Sequence, residues 1–542
     1  MQKLTHFRYG CMGFHSQSPK VKILSAVSRL TGLLLVLSLL MGCQTAEIKK
    51  PFAHNPVIWA DVPDPAVMRV GDTYYMSSTT MHMNPGLPIM KSKDLVNWEM
   101  VRYAYPTLSS DEKSSLNNGK EAYGEGTWAS SLRYHNGRFY VSSFSNTTKK
   151  TYIFSTDNIE TGDWQRIEID ALFHDSSLFF DDGRVFMIYG NDDIFIVELT
   201  ADATAIKKDG VNRVLIPKAS RVAGDKFWVP SEGSQMLKVK GKYYLNLISW
   251  PANKMRTQLI YRSDTLLGSY EGKVALTDKG IAQGGLIDTL DGKWYAFLFR
   301  DRGAVGRIPY LVPVHWKDGW PIYGVNGKVP DELPIQVAHQ GFNNIIESDE
   351  FDYAANQPLK MAWQWNHNPV AEGWSLVDRK GFLRLTNLRL DKSFVETQNT
   401  LTQRTFGPVS TAHTFIDASN LKPGDYAGIG ALQSIYGFVG VEKTKEGLSI
   451  VMASGEKDQW KVIERVRLTE SKIHLKTYMD FRDLKDTATF AYSLDGIDWK
   501  PIGNTLQMKY SLDHFMGYRF ALFNFATEQT DGSVDFDFMR LE

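Results

Sequence analysis

Cysteine is all but absent: the 542 residues contain two, Cys11 and Cys43. Cys11 falls in an N-terminal segment that carries the marks of a removable leader, so no disulfide is possible in the mature chain and a large core must hold it together. Charge of one sign is missing as well, since 61 Lys+Arg balance 61 Asp+Glu. No basic tract remains that would suit a nucleic acid. Helical periodicity is nearly absent outside the first residues. No cluster of His, Cys, Asp and Glu has the spacing of a metal site. What is present is 43% hydrophobic and 12% aromatic content with 14 Trp, in short alternating runs bounded by Gly, Asp and Asn. That pattern reads as an all-β protein, and the length allows two or three domains.

Residues 1–42 stand apart. They hold five basic residues (Lys3, Arg8, Lys20, Lys22, Arg29) and no acid, followed by an apolar run from Leu33 to Met41 broken only by Ser38. A basic start and a short apolar stretch make a secretion signal, too short to serve as a bilayer span. The ending Leu40-Met41-Gly42-Cys43 resembles a bacterial lipobox, which implies cleavage before Cys43 and lipidation of that cysteine. The expected location is therefore the cell envelope, secreted and lipid-anchored, at the outer membrane if the host has one, because Gln44 rather than Asp follows the cysteine. Removing residues 1–42 leaves 56 Lys+Arg against 61 Asp+Glu, a formal charge of −5. Membrane contact is expected only through the anchor.

After a tether over 43–54, one pattern recurs five times between 55 and 337. A glycine precedes an aromatic-rich strand at Gly71, Gly137, Gly183, Gly241 and Gly292, at intervals of 66, 46, 58 and 51 residues. Such a period is that of propeller blades, each a four-stranded antiparallel sheet. A connection around 330–345 leads to residues 345–542, where further strands without helical pattern predict a β-sandwich. The fold class is thus all-β, a five-bladed β-propeller followed by a C-terminal β-sandwich.

Seven to nine residues before each repeat glycine stand Asp64, Trp128, Asp175, Glu232 and Gln283. If each begins the innermost strand of its blade, rotation about the propeller axis brings all five to one mouth of the central channel. Three carboxyls meeting an aromatic ring and an amide suit the hydrolysis of a glycosidic bond. That reaction needs one protonated carboxyl at the leaving oxygen and one ionised carboxylate across the bond. Asp64 lies between Pro63 and Pro65, a rigid mount. Gly233 after Glu232 leaves room for a ligand to approach the backbone.

The run Asp61-Val62-Pro63-Asp64-Pro65, with Val70-Gly71-Asp72-Thr73-Tyr74-Tyr75 and Lys91-Ser92-Lys93-Asp94-Leu95-Val96-Asn97-Trp98, resembles glycoside hydrolase family 43. So do Thr127-Trp128-Ala129-Ser130-Ser131, Ser231-Glu232-Gly233 and Gln283-Gly284-Gly285-Leu286. The C-terminal segment, with Phe351-Asp352 and Trp363-Gln364-Trp365-Asn366, is similar to the concanavalin-like jelly roll appended to xylosidase-like members. The resemblance implies five blades, action on xylose and arabinose linkages, and inversion at the anomeric carbon. It implies Asp64 as general base, Glu232 as general acid and Asp175 as the pKa modulator that tunes and orients the acid. Inversion requires base and acid roughly 6.5–9.5 Å apart.

By the same resemblance Trp128 forms a wall for a sugar ring, Arg307 reaches sugar hydroxyls, and Met81 lies where relatives carry an aromatic. Gln283 departs from the family, many of whose members have His there, sometimes near calcium. No cofactor is expected, and calcium is disfavoured by that glutamine. The expected substrates are xylo-oligosaccharides or arabinoxylan, attacked from non-reducing ends. α-L-Arabinofuranosidase is the alternative activity, and a non-catalytic sugar-binding lipoprotein is the reading from another class. A retaining fructan-type hydrolase is disfavoured, because it would want an Asn before the first Asp-Pro and an Arg-Asp-Pro in mid-chain.

Overall fold

The computed structural model describes residues 50–542, and the signal segment, Cys43 and most of the tether lie outside the described residues. Residues 51–542 make one compact unit. Its first half consists of five blades of four antiparallel strands, the first of them extended by a parallel fifth strand, Phe342–Asn343, and the inner strands are Ala66–Val70, Thr127–His135, Ser177–Asp181, Phe227–Val239 and Ala282–Asp288. The repeat glycines sit in the tight turns that follow these inner strands, with φ between 61° and 81°. Only a residue without a Cβ adopts that conformation freely.

The ring closes between the first and last blades. Val67 and Met76 of the first share a core with Ile287, Phe297 and Leu311 of the last. Outside that core Arg69 Nη2 donates to Asp288 at 2.6 Å. The short strand Phe52–His54 pairs with Glu332–Gln336, so the start and the end of the propeller are zipped together.

The second half is a sandwich of two seven-stranded sheets. Between residues 382 and 390 it has a strand at Leu383–Thr386 and an isolated bridge from Leu390 to Ala526. Sandwich and propeller are not separable modules. One apolar core runs from Leu298, Val305 and Ile308 of the last blade into Phe351, Trp363 and Leu522 of the sandwich. Polar contacts add to it: Asp61 Oδ1 accepts the Arg307 amide at 2.7 Å, and its Oδ2 accepts the Gly517 amide at 3.0 Å.

Three buried histidines stand at the same junction. His82 and His367 lie with ring centres 4.4 Å apart, and His514 stacks on Tyr123 at 3.9 Å. His367 Nε2 accepts the Ala122 amide, so that ring is neutral. Burial holds His82 down to about 3, and holds His367 and His514 well below the usual imidazole range. In the unfolded chain these rings take up protons near pH 6.5, whereas the folded protein refuses them. Stability from this source is therefore whole above pH 6.5 and is lost as the pH falls below it, by about 2 kcal/mol at pH 5 for His82. Urea unfolding at pH 7 and pH 5 is expected to show a marked loss. His82→Phe with His514→Phe should flatten that dependence.

Candidate active site

Three of the five equivalent positions share an uncommon backbone. Asp64, Asp175 and Gln283 have φ of 51°, 45° and 60°, in the left-handed region. A residue with a Cβ pays on the order of 1–2 kcal/mol there, and Asp tolerates it better than most. The conformation turns each side chain off its strand at the channel mouth. Glu232 differs. It was expected at the start of its inner strand, yet that strand begins five residues earlier at Phe227, with register shifts on both sides of Glu232. Pro230 in the run argues against a regular strand, and the bulged ladder accommodates it. Gly233, at φ 73°, follows. A Cβ there would stand 2.9 Å from Cγ of Gln283, so the glycine allows the fourth and fifth blades to approach.

The carboxyls fall into two environments. Asp64 is buried against Arg307, whose Nη1 donates to both Asp64 oxygens at 3.1 and 2.9 Å. Burial pushes the Asp64 carboxyl up, and the guanidinium pulls against that. Arg307 stays charged: burial disfavours its cation, but Asp64 together with Tyr510, Asp61 and Asp301 more than offsets this. Its Nη2 donates to the carbonyl of Phe515, a sandwich residue, at 3.2 Å.

Opposite stand His174, Asp175 and Glu232, their ligating atoms all within 4.8 Å of one another. Glu232 Oε2 is held by His174 Nε2 at 3.0 Å and by Asn191 Nδ2 at 2.9 Å. Burial, then the charges of Glu232 and Asp64, push Asp175 up to about 7 against the pull of His174. Burial disfavours the His174 cation, but Asp175 and the hydrogen bond to Glu232 raise it to about 9. The His174 imidazolium thus balances one negative charge beside Asp175. No other group of three potential metal ligands lies so close among the described residues. The trio sets two carboxyls and an imidazole within reach of one another, an arrangement that can hold and pass on a proton.

The other expected residues are placed as follows. Trp128 is half-buried, its Nε1 donating to the Gly124 carbonyl at 3.1 Å. Its ring lies 5.0 Å from that of Phe515 and 6.1 Å from His174. Gln283 is buried beside Gly233, and its backbone N–H donates to Gln258 Oε1 at 2.8 Å. Met81, with 1% exposure, lies inside the wall rather than on its surface, and its sulfur is 3.9 Å from the Thr79 hydroxyl. His174, Asn191, Phe515 and Asp61 were not among the residues expected. His174 was adjacent to Asp175 in the chain, and that adjacency was the one local sign.

Residues 53–321 match the glycosyl hydrolases family 43, and residues 348–542 match the beta xylosidase C-terminal concanavalin A-like domain. The chain belongs to glycoside hydrolase family 43. It is similar to a bifunctional GH43-CE protein of Bacteroides eggerthii, at 51% identity with a TM-score of 0.89. That match covers 91% of this chain and 64% of the other, so the chain spans less than two thirds of that structure. It is 27% identical to a beta-xylosidase of Formosa agariphila over 90% of each chain. A non-reducing end alpha-L-arabinofuranosidase of Bacteroides ovatus is 29% identical over 65% of this chain and 68% of its own. The protein is a glycosidase of this family, and its site is built from both of its domains.

Proposed function

We propose that this family 43 enzyme is an exo-acting, inverting β-xylosidase that removes xylose from the non-reducing ends of xylo-oligosaccharides. The observation that carries the reading is the division of the carboxyls, Asp64 held by a buried guanidinium and Glu232 by an imidazole with Asp175 beside it. The Asp64 carboxylate takes a proton from water, whose oxygen forms a bond to the anomeric carbon. The bond to the leaving oxygen breaks, its electron pair stays on that oxygen, and Glu232 supplies the proton. Asp175 and His174 position Glu232 and set the charge around it. Arg307 holds Asp64 in place, and Trp128 with Phe515 walls the ring of the departing xylose. The Phe515 loop covers one side of the mouth, which favours a chain end over the middle of a polymer.

The reading is supported by the beta-xylosidase relative. The arabinofuranosidase relative supports α-L-arabinofuranosidase as the second reading, because the two sugars present similar hydroxyls. Lipidation at Cys43 would hold the enzyme at the cell envelope. Hydrolysis of an aryl β-D-xyloside and an aryl α-L-arabinofuranoside by the mature chain tests the choice. Faster turnover of the xyloside is expected. Preference for the arabinofuranoside would favour the second reading, and turnover of neither would overturn both.

A further inference from the structure

The mouth of the site is closed unevenly. On the side of the first two blades the sandwich leans in. His514 stacks on Tyr123, Phe515 faces Trp128, and Gly124 packs on the carbonyls of Leu512 and Asp513. Among the described residues, Trp228 and Trp250 of the fourth blade pack on each other and on no ring of the sandwich. There the inner strand projects past Glu232 to Phe227, paired with a neighbour that runs out to Pro251.

This projection carries Trp228, 57% exposed, with its ring edge-on to Trp250 at 5.2 Å and 77°. Trp250 is itself pinned. Its Nε1 donates to the Lys254 carbonyl at 2.9 Å, and the Arg256 guanidinium lies 4.7 Å from its ring centre. Arg256 pairs with Asp301 at 2.5 Å and reaches towards Phe299, the ring that also lies beneath Arg307. A run of packed side chains therefore joins the Asp64–Arg307 pair to an exposed indole at the open rim. An exposed tryptophan on a rigid footing is costly in water and well formed for stacking on a sugar face.

The side of the pocket fixes which sugar it meets. Under the β-xylosidase reading, on which this inference rests, Glu232 protonates the leaving oxygen, so the departing oligosaccharide lies on the side of Glu232. Four residues of the same bulged strand, at most about 13 Å, separate Glu232 from Trp228. That reach passes the first leaving ring and arrives at the second. We propose that Trp228, footed on Trp250, is the stacking platform for the second pyranose ring on the leaving side, making the enzyme prefer xylotriose and longer chains to xylobiose.

The test compares kcat/KM of the wild type and Trp228→Ala on an aryl β-D-xyloside, xylobiose and xylotriose. Trp228→Ala should lose about tenfold on xylotriose and keep its rate on the two shorter substrates. Trp228→Phe, which retains a ring, should restore much of the loss. Equal loss on all three substrates, or no loss on any, overturns the platform. A wild type that releases no xylose from any of them overturns the β-xylosidase reading and the platform with it. Wild-type turnover of the aryl xyloside thus separates the two failures.

Discussion

Replacing Glu232 by alanine is expected to cut kcat/KM for xylobiose by about 10²–10⁴-fold while sparing a xyloside whose leaving group needs no proton. The argument is chemical. A sugar alkoxide is a poor leaving group and must be protonated as the bond breaks, whereas a dinitrophenolate departs unaided. Glu232 is the carboxyl held by His174 and Asn191 and set next to Asp175, the place where a proton can be kept and handed on. The checking measurement is the ratio of the two substrates' losses. A ratio near one would remove Glu232 from the acid role. His174→Gln should move the titration of the Asp175 carboxyl upward, as followed by carbon-13 NMR. Losing the imidazolium withdraws the positive charge that draws protons off the neighbouring carboxyl of Asp175.

Asp64→Asn is expected to behave in the opposite way, with kcat falling about 10³-fold or more on every substrate whatever its leaving group. Water must be deprotonated in each case, and an amide of the same shape accepts no proton. The variant also strands a charge. Arg307 is 3% exposed and has Asp64 as its carboxylate partner, so the neutral amide leaves a buried guanidinium unpaired. Removing one partner of a buried pair costs on the order of 3–5 kcal/mol. Urea unfolding should register that loss, whereas Glu232→Ala, at a more accessible carboxyl with neutral and imidazole partners, should shift the midpoint less. Activity that depends on the leaving group, or unchanged stability, would contradict the assigned part of Asp64.

The propeller was legible because rotation repeats a local pattern. Five turn glycines and five residues at a common offset mark the blades, and the left-handed φ of Asp64, Asp175 and Gln283 is the physical form of that common offset. The fourth blade hid its extension because Pro230 interrupts the alternation that marks a strand, and a bulged ladder has no fixed period. The supports of the carboxyls were illegible for a different reason. Asn191 reaches Glu232 across 41 positions, and Gly517 reaches Asp61 across 456. Contacts at such separation leave no spacing to read. Phe515 belongs to a sandwich loop, and only the docking of that loop brings its carbonyl to Arg307 and its ring to Trp128. The same holds for the buried histidines, which come from distant stretches and share a site only after the two halves have packed.

The most direct test of the account is the anomeric form of the xylose first released from an aryl β-D-xyloside, followed by proton NMR before mutarotation. Attack by water from the Asp64 side, opposite the bond that Glu232 protonates, requires α-xylose to appear first. The β-anomer appearing first would contradict the single-displacement mechanism, and with it the roles given to Asp64 and Glu232.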